Sequence, residues 1–145
     1  IIVIVVIVVI SIHRVFFNAH PNKTIHHVSD LISELIIVGS MHSRKRAMFE
    51  RADGFVVLPG GLGTLDESIE VITWKQLQQH NKPIVFVDIN NYWKPLLDLV
   101  AAVVDGGFGH HGIADLYSVV DTTDDVFEAL ASAPEADEEV LTSHL

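Results

Sequence analysis

Residues Phe55–Glu67, FVVLPGGLGTLDE, decide how this chain is read. Phe55-Val56-Val57-Leu58 is a compact apolar run of the kind that forms a strand buried on both faces of a parallel sheet. Pro59-Gly60-Gly61-Leu62-Gly63 cannot continue that strand and makes a glycine-rich turn. Thr64 then opens a helix predicted over about Leu65–His80, whose apolar residues Leu65, Ile69, Ile72 and Leu77 recur at helical spacing. In parallel sheets, ligands sit at the carboxyl ends of the strands. Glycines there let backbone N–H groups approach an anion, and a helix start adds unpaired N–H groups and about half a unit of positive charge. The expected anion is a phosphate. The turn has neither the Lys-Ser/Thr pair of a Walker loop nor the glycine spacing of a dinucleotide fingerprint. Its bland alternative is a tight turn that merely needs positive φ.

Working outward, strands and helices alternate. Upstream, Arg14–Phe17 and Glu34–Val38 read as short strands, with a turn at His20-Pro21-Asn22-Lys23. Ser40 caps a helix from Met41 to Ala52, with Gly54 as its stop signal. Downstream, Asn81-Lys82-Pro83 ends the second helix and Ile84–Asp88 is another buried-type strand. Asn90 or Asn91 caps a helix reaching about Asp105, Gly106–Gly109 is a loop, and Tyr117–Val120 is the last strand before a final helix ending near Ala131. This order predicts an α/β fold: a Rossmann-like parallel sheet with helices on both faces. Residues 1–133 read as a single nucleotide-binding domain and 134–145 as an acidic, frayed tail.

Residues 1–10 are all Ile or Val. β-branched residues favour a buried strand; a truncated start and a membrane segment are the other readings. Even extended to Ile12, the run is short of the roughly 20 residues a transmembrane helix needs. The lack of a leading Met and of a basic segment argues against a signal peptide.

At 145 residues the chain is one domain's worth, and 49% apolar content can fill its core. It has no cysteine, which excludes disulfides and thiol chemistry and suits a reducing, cytoplasmic setting. A net charge of −10 makes it a poor partner for nucleic acid. Yet Arg44, Lys45, Arg46 and Arg51, four of the nine Lys and Arg residues, fall in Met41–Arg51, MHSRKRAMFER. Arg44 and Lys45 lie near the helix start, where cations oppose the helix dipole unless an anion or carboxylate compensates. A guanidinium there can fork onto a phosphate or onto a carboxylate such as Glu67; a solvated basic face is the alternative. Thr64 and Glu67 are spaced as a capping box. Because Glu67 sits off the Leu65–Ile69–Ile72 stripe, it is also expected to face the glycine turn, where a carboxylate beside a sugar can stabilise an oxocarbenium-like transition state or activate water. Glu70 and Thr73, one and two turns on, read as surface residues by default. The pairs His26-His27 and His110-His111 have no metal-ligand spacing, so no metal is expected.

The segment Ser40–Lys45, SMHSRK, followed by Pro59–Glu67, PGGLGTLDE, resembles the Lonely Guy family of cytokinin riboside 5′-monophosphate phosphoribohydrolases, often misannotated as lysine decarboxylases. The family pattern is M-x-x-R-K followed by PGGxGTxxE. Met41, Arg44 and Lys45 match its first part; Pro59, Gly60, Gly61, Gly63, Thr64 and Glu67 match its second. The stretch from Ile69 to Leu97 is also similar, and the likeness covers about residues 34–130. What the resemblance implies is a hydrolase that splits AMP or a cytokinin riboside monophosphate into free base and ribose 5-phosphate. Arg44 and Glu67 would be the catalytic pair. Met41, Lys45, Gly60, Gly61, Leu62, Gly63, Thr64 and Thr73 would contact the nucleotide. It implies no metal, no cofactor and no membrane partner, and a homodimer or larger assembly packed through helices near the site. The family's earlier strand and its GGGxxGLMG segment have no counterpart here, so the domain reads as lacking its amino-terminal third. The competing reading is a non-catalytic nucleotide or cofactor carrier of Rossmann-like fold, such as the molybdenum-cofactor carriers, which need not retain Arg44 and Glu67. A decarboxylase finds no pyridoxal-phosphate lysine context.

Overall fold

The computed structural model describes residues 3–6, 15–18, 34–37 and 39–133. The turn expected at His20–Lys23, the His26-His27 pair and the acidic tail lie outside them. The described residues include six strands: β1 (Val3–Val6), β2 (Val15–Asn18), β3 (Glu34–Ile37), β4 (Gly54–Val57), β5 (Ile84–Val87) and β6 (Ser118–Val120). Four form a parallel sheet in the order β1-β4-β5-β6. The Ile/Val run therefore supplies a strand, with Val3 paired to Gly54 and Val6 to Val57. β2 and β3 pair with each other, also in parallel, as a separate sheet.

Alternation along β4 and β5 creates two cores. Phe55, Val57, Ile84 and Phe86 point to one face, where they meet Ala52, Val71, Ile72, Trp93 and Leu116. Val56, Val85 and Val87 point to the other, against Val126, Ala129 and Leu130. Helices α1 (Met41–Arg51), α2 (Leu62–Gln76) and α3 (Lys94–Asp105) cover the first face, and α4 (Val126–Ala131) the second. The expected α/β architecture, with helices on both faces, is what is found.

Ser40 caps α1 by accepting from the Ser43 N–H at 3.0 Å. The helix stops at Ala52, whose N–H returns to Met48 and Phe49, so Gly54 is not its stop signal. Gly54 opens β4 instead, where a Cβ would lie 2.9 Å from Pro83 Cγ and 3.2 Å from Leu130 Cδ2. α2 begins at Leu62, earlier than expected, with Gly61 as its N-cap and no side-chain cap. Thr64 is thus inside the first turn and the capping box does not form. The buried face of α2 is also rotated from the expected one: Thr64, Glu67, Ser68, Val71, Ile72 and Lys75 are buried, while Ile69 and Leu77 are 43% and 52% exposed. Two of the polar residues on this face have partners. Ser68 Oγ donates to the Thr64 carbonyl, and Glu67 finds Arg44. α2 ends at Gln76 rather than near His80, and Gln78 follows in the left-handed region. α3 starts at Lys94, and Asn90 and Asn91 do not cap it; they adopt left-handed φ of 56° and 58° in a 3₁₀ turn, Ile89–Asn91.

Thr64 Oγ1 has no partner among the described residues, and Lys75 is buried as a charged group. It is 1% exposed, burial pushes its ammonium below the usual lysine range, and no carboxylate pairs with it among the described residues. With the folded value depressed, its contribution to stability is greatest at high pH and is lost as pH falls through that folded value. Lys75→Met keeps the apolar stem and removes the charge. It is expected to stabilise the fold by about 1–3 kcal/mol at neutral pH. In urea unfolding the gain should shrink as pH approaches about 10.4, where the unfolded lysine also loses its proton.

Candidate active site

The carboxyl end of β4 runs through Leu58 and Pro59 into the glycine turn and straight into α2. Gly60 packs directly on Thr64: a Cβ there would fall 2.0 Å from Thr64 Oγ1 and 2.9 Å from Thr64 Cβ. Gly61 faces open space, with nothing within 4 Å of where its Cβ would be. Among the described glycines only Gly107 has positive φ. The glycines at 60 and 61 therefore serve close approach and an open face, not a left-handed backbone. Gly61, Leu62 and Gly63 are exposed, and no side chain caps the first N–H groups of α2. A free helix start with its positive end outward is an anion site in waiting.

Arg44 reaches across from α1, and its Nη2 donates to Glu67 Oε1 at 2.5 Å. The Glu67 side chain is 8% exposed and that of Arg44 26%. Burial pushes the Glu67 carboxyl above the usual glutamate range, outweighing the opposing pull of Arg44 and Lys45. Arg44 Nε and Thr64 Oγ1 are buried without a hydrogen-bond partner among the described residues. From Leu62 to Glu67 the backbone of α2 rises about 7.5 Å along the helix axis. Lys45 Nζ donates to Asp66 and lies 3.0 Å from Glu70; the bond to Asp66, aided by Glu70, holds its pKa above the usual lysine value. Beyond these pairs, Phe49 and Trp74 line a small hollow between α1 and α2 and also border a recess of about 280 Å³ lined by His42, Arg46 and Gln79.

The arrangement brings Arg44, Lys45 and Glu67 together between α1 and α2. Lys45 is engaged by Asp66 and Glu70, and the Thr64 side chain is 0% exposed and turned onto Gly60. Thr73 is exposed, lines neither hollow, and donates to the Ile69 carbonyl at 2.8 Å. Met41 is the first residue of α1. Glu67 reaches the site from the buried face of α2, not from a face turned away from the core. Sequence reasoning missed two participants. Asp66 could have been found from its i,i+4 spacing to Glu70, which sets two carboxylates on one side of the helix. Tyr92, whose hydroxyl donates to the Gly60 carbonyl from 32 residues away, has no local signal. Among the described residues no three His, Asp or Glu side chains gather as a metal-binding group, and no helix is long and apolar enough to cross a membrane.

Comparison with known proteins adds to this geometry. Residues 9–130 match the family model described as possible lysine decarboxylase. A probable cytokinin riboside 5′-monophosphate phosphoribohydrolase of Oryza sativa subsp. japonica is 43% identical over 81 residues, 56% of this chain and 33% of that protein. Cytokinin riboside 5′-monophosphate phosphoribohydrolases of Arabidopsis thaliana and Rhodococcoides fascians are 46% identical over 79 residues and 44% identical over 92. These alignments cover 54% and 63% of this chain, and 36% and 44% of the relatives. The chain thus spans between a third and a half of the length of these relatives.

Proposed function

Because this chain belongs to the Lonely Guy family, whose model is described as possible lysine decarboxylase, we propose that it hydrolyses the N-glycosidic bond of nucleoside 5′-monophosphates such as AMP or a cytokinin riboside monophosphate. The observation that carries this reading is the Arg44–Glu67 pair, which joins α1 to the second turn of α2, a helix whose start no side chain caps. The amides at the exposed start of α2, Gly61 to Gly63, hold the 5′-phosphate. Arg44 orients Glu67 and opposes the upward push that burial gives the carboxyl. The Glu67 carboxylate offsets the positive charge that develops at C1′ as the bond to the base breaks, and it orients the attacking water. The water oxygen bonds to C1′, giving ribose 5-phosphate, and the base leaves with the bonding pair and takes up a proton. The test is to incubate the protein with AMP and follow adenine and ribose 5-phosphate in equal amounts by chromatography, with adenosine as the phosphate-free control. AMP bound without adenine released would replace this reading with that of a carrier.

The same reading includes a homodimer packed through α2. Leu62 and Ile69 on this helix, and Leu77 just beyond it, are 84%, 43% and 52% exposed and fall at spacings of about two turns, an apolar strip beside the site. Ile69→Glu is expected to convert a dimer into a monomer in size-exclusion chromatography with light scattering. A wild-type protein that runs as a monomer at micromolar concentration would remove the dimer.

A further inference from the structure

We propose that Tyr92 is a positioning residue, which clamps the Gly60 carbonyl so that the following amide is held facing a bound phosphate. The inference rests on the phosphate cradle of the proposed function but not on the bond-breaking step.

Tyr92 belongs to the loop after β5, the strand beside β4 in the sheet. Its ring is half exposed, and its hydroxyl reaches over the carboxyl end of β4 to donate to Gly60. In a trans peptide the carbonyl of one residue and the N–H of the next point in opposite directions. Fixing the Gly60 oxygen toward Tyr92 therefore fixes the Gly61 N–H away from it, at the exposed start of α2. The turn is held from below as well, by the buried Thr64 side chain against Gly60, whose hydroxyl has no partner among the described residues.

The loop is built to aim this hydroxyl. Asp88, at the end of β5, receives the Trp93 N–H on Oδ1 at 2.6 Å and the Asn91 N–H on its carbonyl at 3.1 Å, and its own N–H donates to Val120 at 2.8 Å. Asn90 and Asn91 adopt the left-handed conformation in succession, which asparagine tolerates better than most residues but at a cost in backbone energy. Trp93 is 2% exposed and anchors the loop edge-on to Phe86, with ring centres 5.4 Å apart; Tyr92 packs at 89° against Trp93. Strained backbone persists where its surroundings over-determine it, and here the surroundings deliver one phenol to one carbonyl of the glycine turn.

Tyr92→Phe removes the hydroxyl and keeps the ring. Inorganic phosphate, titrated calorimetrically into the full chain, is expected to bind the variant about ten-fold more weakly than wild type, the loss of one well-placed hydrogen bond. Near-ultraviolet circular dichroism should be unchanged, and adenosine, which has no phosphate, should bind both proteins equally. With AMP the KM should rise by a similar factor while kcat changes less than about two-fold, the pattern of lost uniform binding. Equal phosphate affinity in the two proteins overturns the clamp. So does a wild-type protein that binds no phosphate, because there is then no cradle to position. Phosphate binding that depends on Tyr92 in a protein that leaves AMP intact supports the clamp and removes the hydrolase reading.

Discussion

Replacing Glu67 with glutamine is expected to lower adenine release from AMP by about three orders of magnitude, within the range set by loss of a positioned catalytic carboxylate. AMP should still bind, and the fold should not weaken. Glutamine has the same shape, fits a position that is 6% exposed, and keeps an oxygen to accept from Arg44. What it removes is a charge that the fold does not favour. Burial, the largest influence on Glu67, raises its pKa despite Arg44 beside it. A carboxyl whose folded pKa lies above its unfolded value of about 4.3 contributes stability that is complete below that value and is lost as pH rises through the folded one. Wild-type protein should therefore lose stability in urea as pH climbs from about 4 through the folded pKa. The glutamine variant should lack that slope, matching wild type in acid and equalling or exceeding it at neutral pH. A residue that lowers stability while supplying the chemistry is the usual signature of a catalytic position. Unchanged turnover in this variant would remove Glu67 from the mechanism.

The parts of this molecule that could be read from sequence are those fixed by neighbours in the chain. Phe55–Val57 and Ile84–Val87 are continuous apolar runs that suit strands covered on both sides, and Ser40 is followed three residues later by the N–H it caps. Arg44 and Glu67 were legible as a pair because a cation at one helix start needs a partner and a second helix start lies close after it. The parts that were not legible depend on backbone geometry or on distant contacts. Counting apolar residues placed the core on the Leu65–Ile69 side of α2. The buried face instead carries Thr64, Glu67, Ser68 and Lys75, because Arg44 and the helix's own carbonyls satisfy two of those polar groups. The Thr64–Glu67 spacing fits a capping box, but Gly61 takes the capping position and places Thr64 inside the helix. Asn90 and Asn91 are good caps by type, yet they are used for the left-handed turn that aims Tyr92. Nothing local in β2 and β3 indicates that they pair with each other outside the main sheet.

Gly60→Ala is the second large effect expected. The methyl group would sit 2.0 Å from Thr64 Oγ1, 2.9 Å from its Cβ and 3.2 Å from its Cγ2. Rotating Thr64 exchanges one of these clashes for another, and a side chain that is 0% exposed has nowhere to retreat. The turn itself must lift, at about 1–3 kcal/mol, the usual cost of overpacking. Lifting it also moves the Gly60 carbonyl off the Tyr92 hydroxyl and turns the Gly61 amide, so phosphate binding should fall below detection in calorimetry while the urea midpoint drops. Gly61→Ala separates the two consequences. Gly61 has φ −90°, open to any residue, and nothing within 4 Å of the added atom, so stability should hold within about 0.5 kcal/mol, the range for substitutions that disturb no contact. Its methyl group would nevertheless stand on the open face where the anion approaches, and phosphate affinity should fall with no change in the urea midpoint. If Gly61→Ala binds phosphate as wild type does, the anion is not held at this turn. If Gly60→Ala is as stable as wild type, Thr64 is not the floor on which the turn rests. The adjacent glycines thus test two separate requirements: packing beneath the turn at 60, and access for the ligand above it at 61.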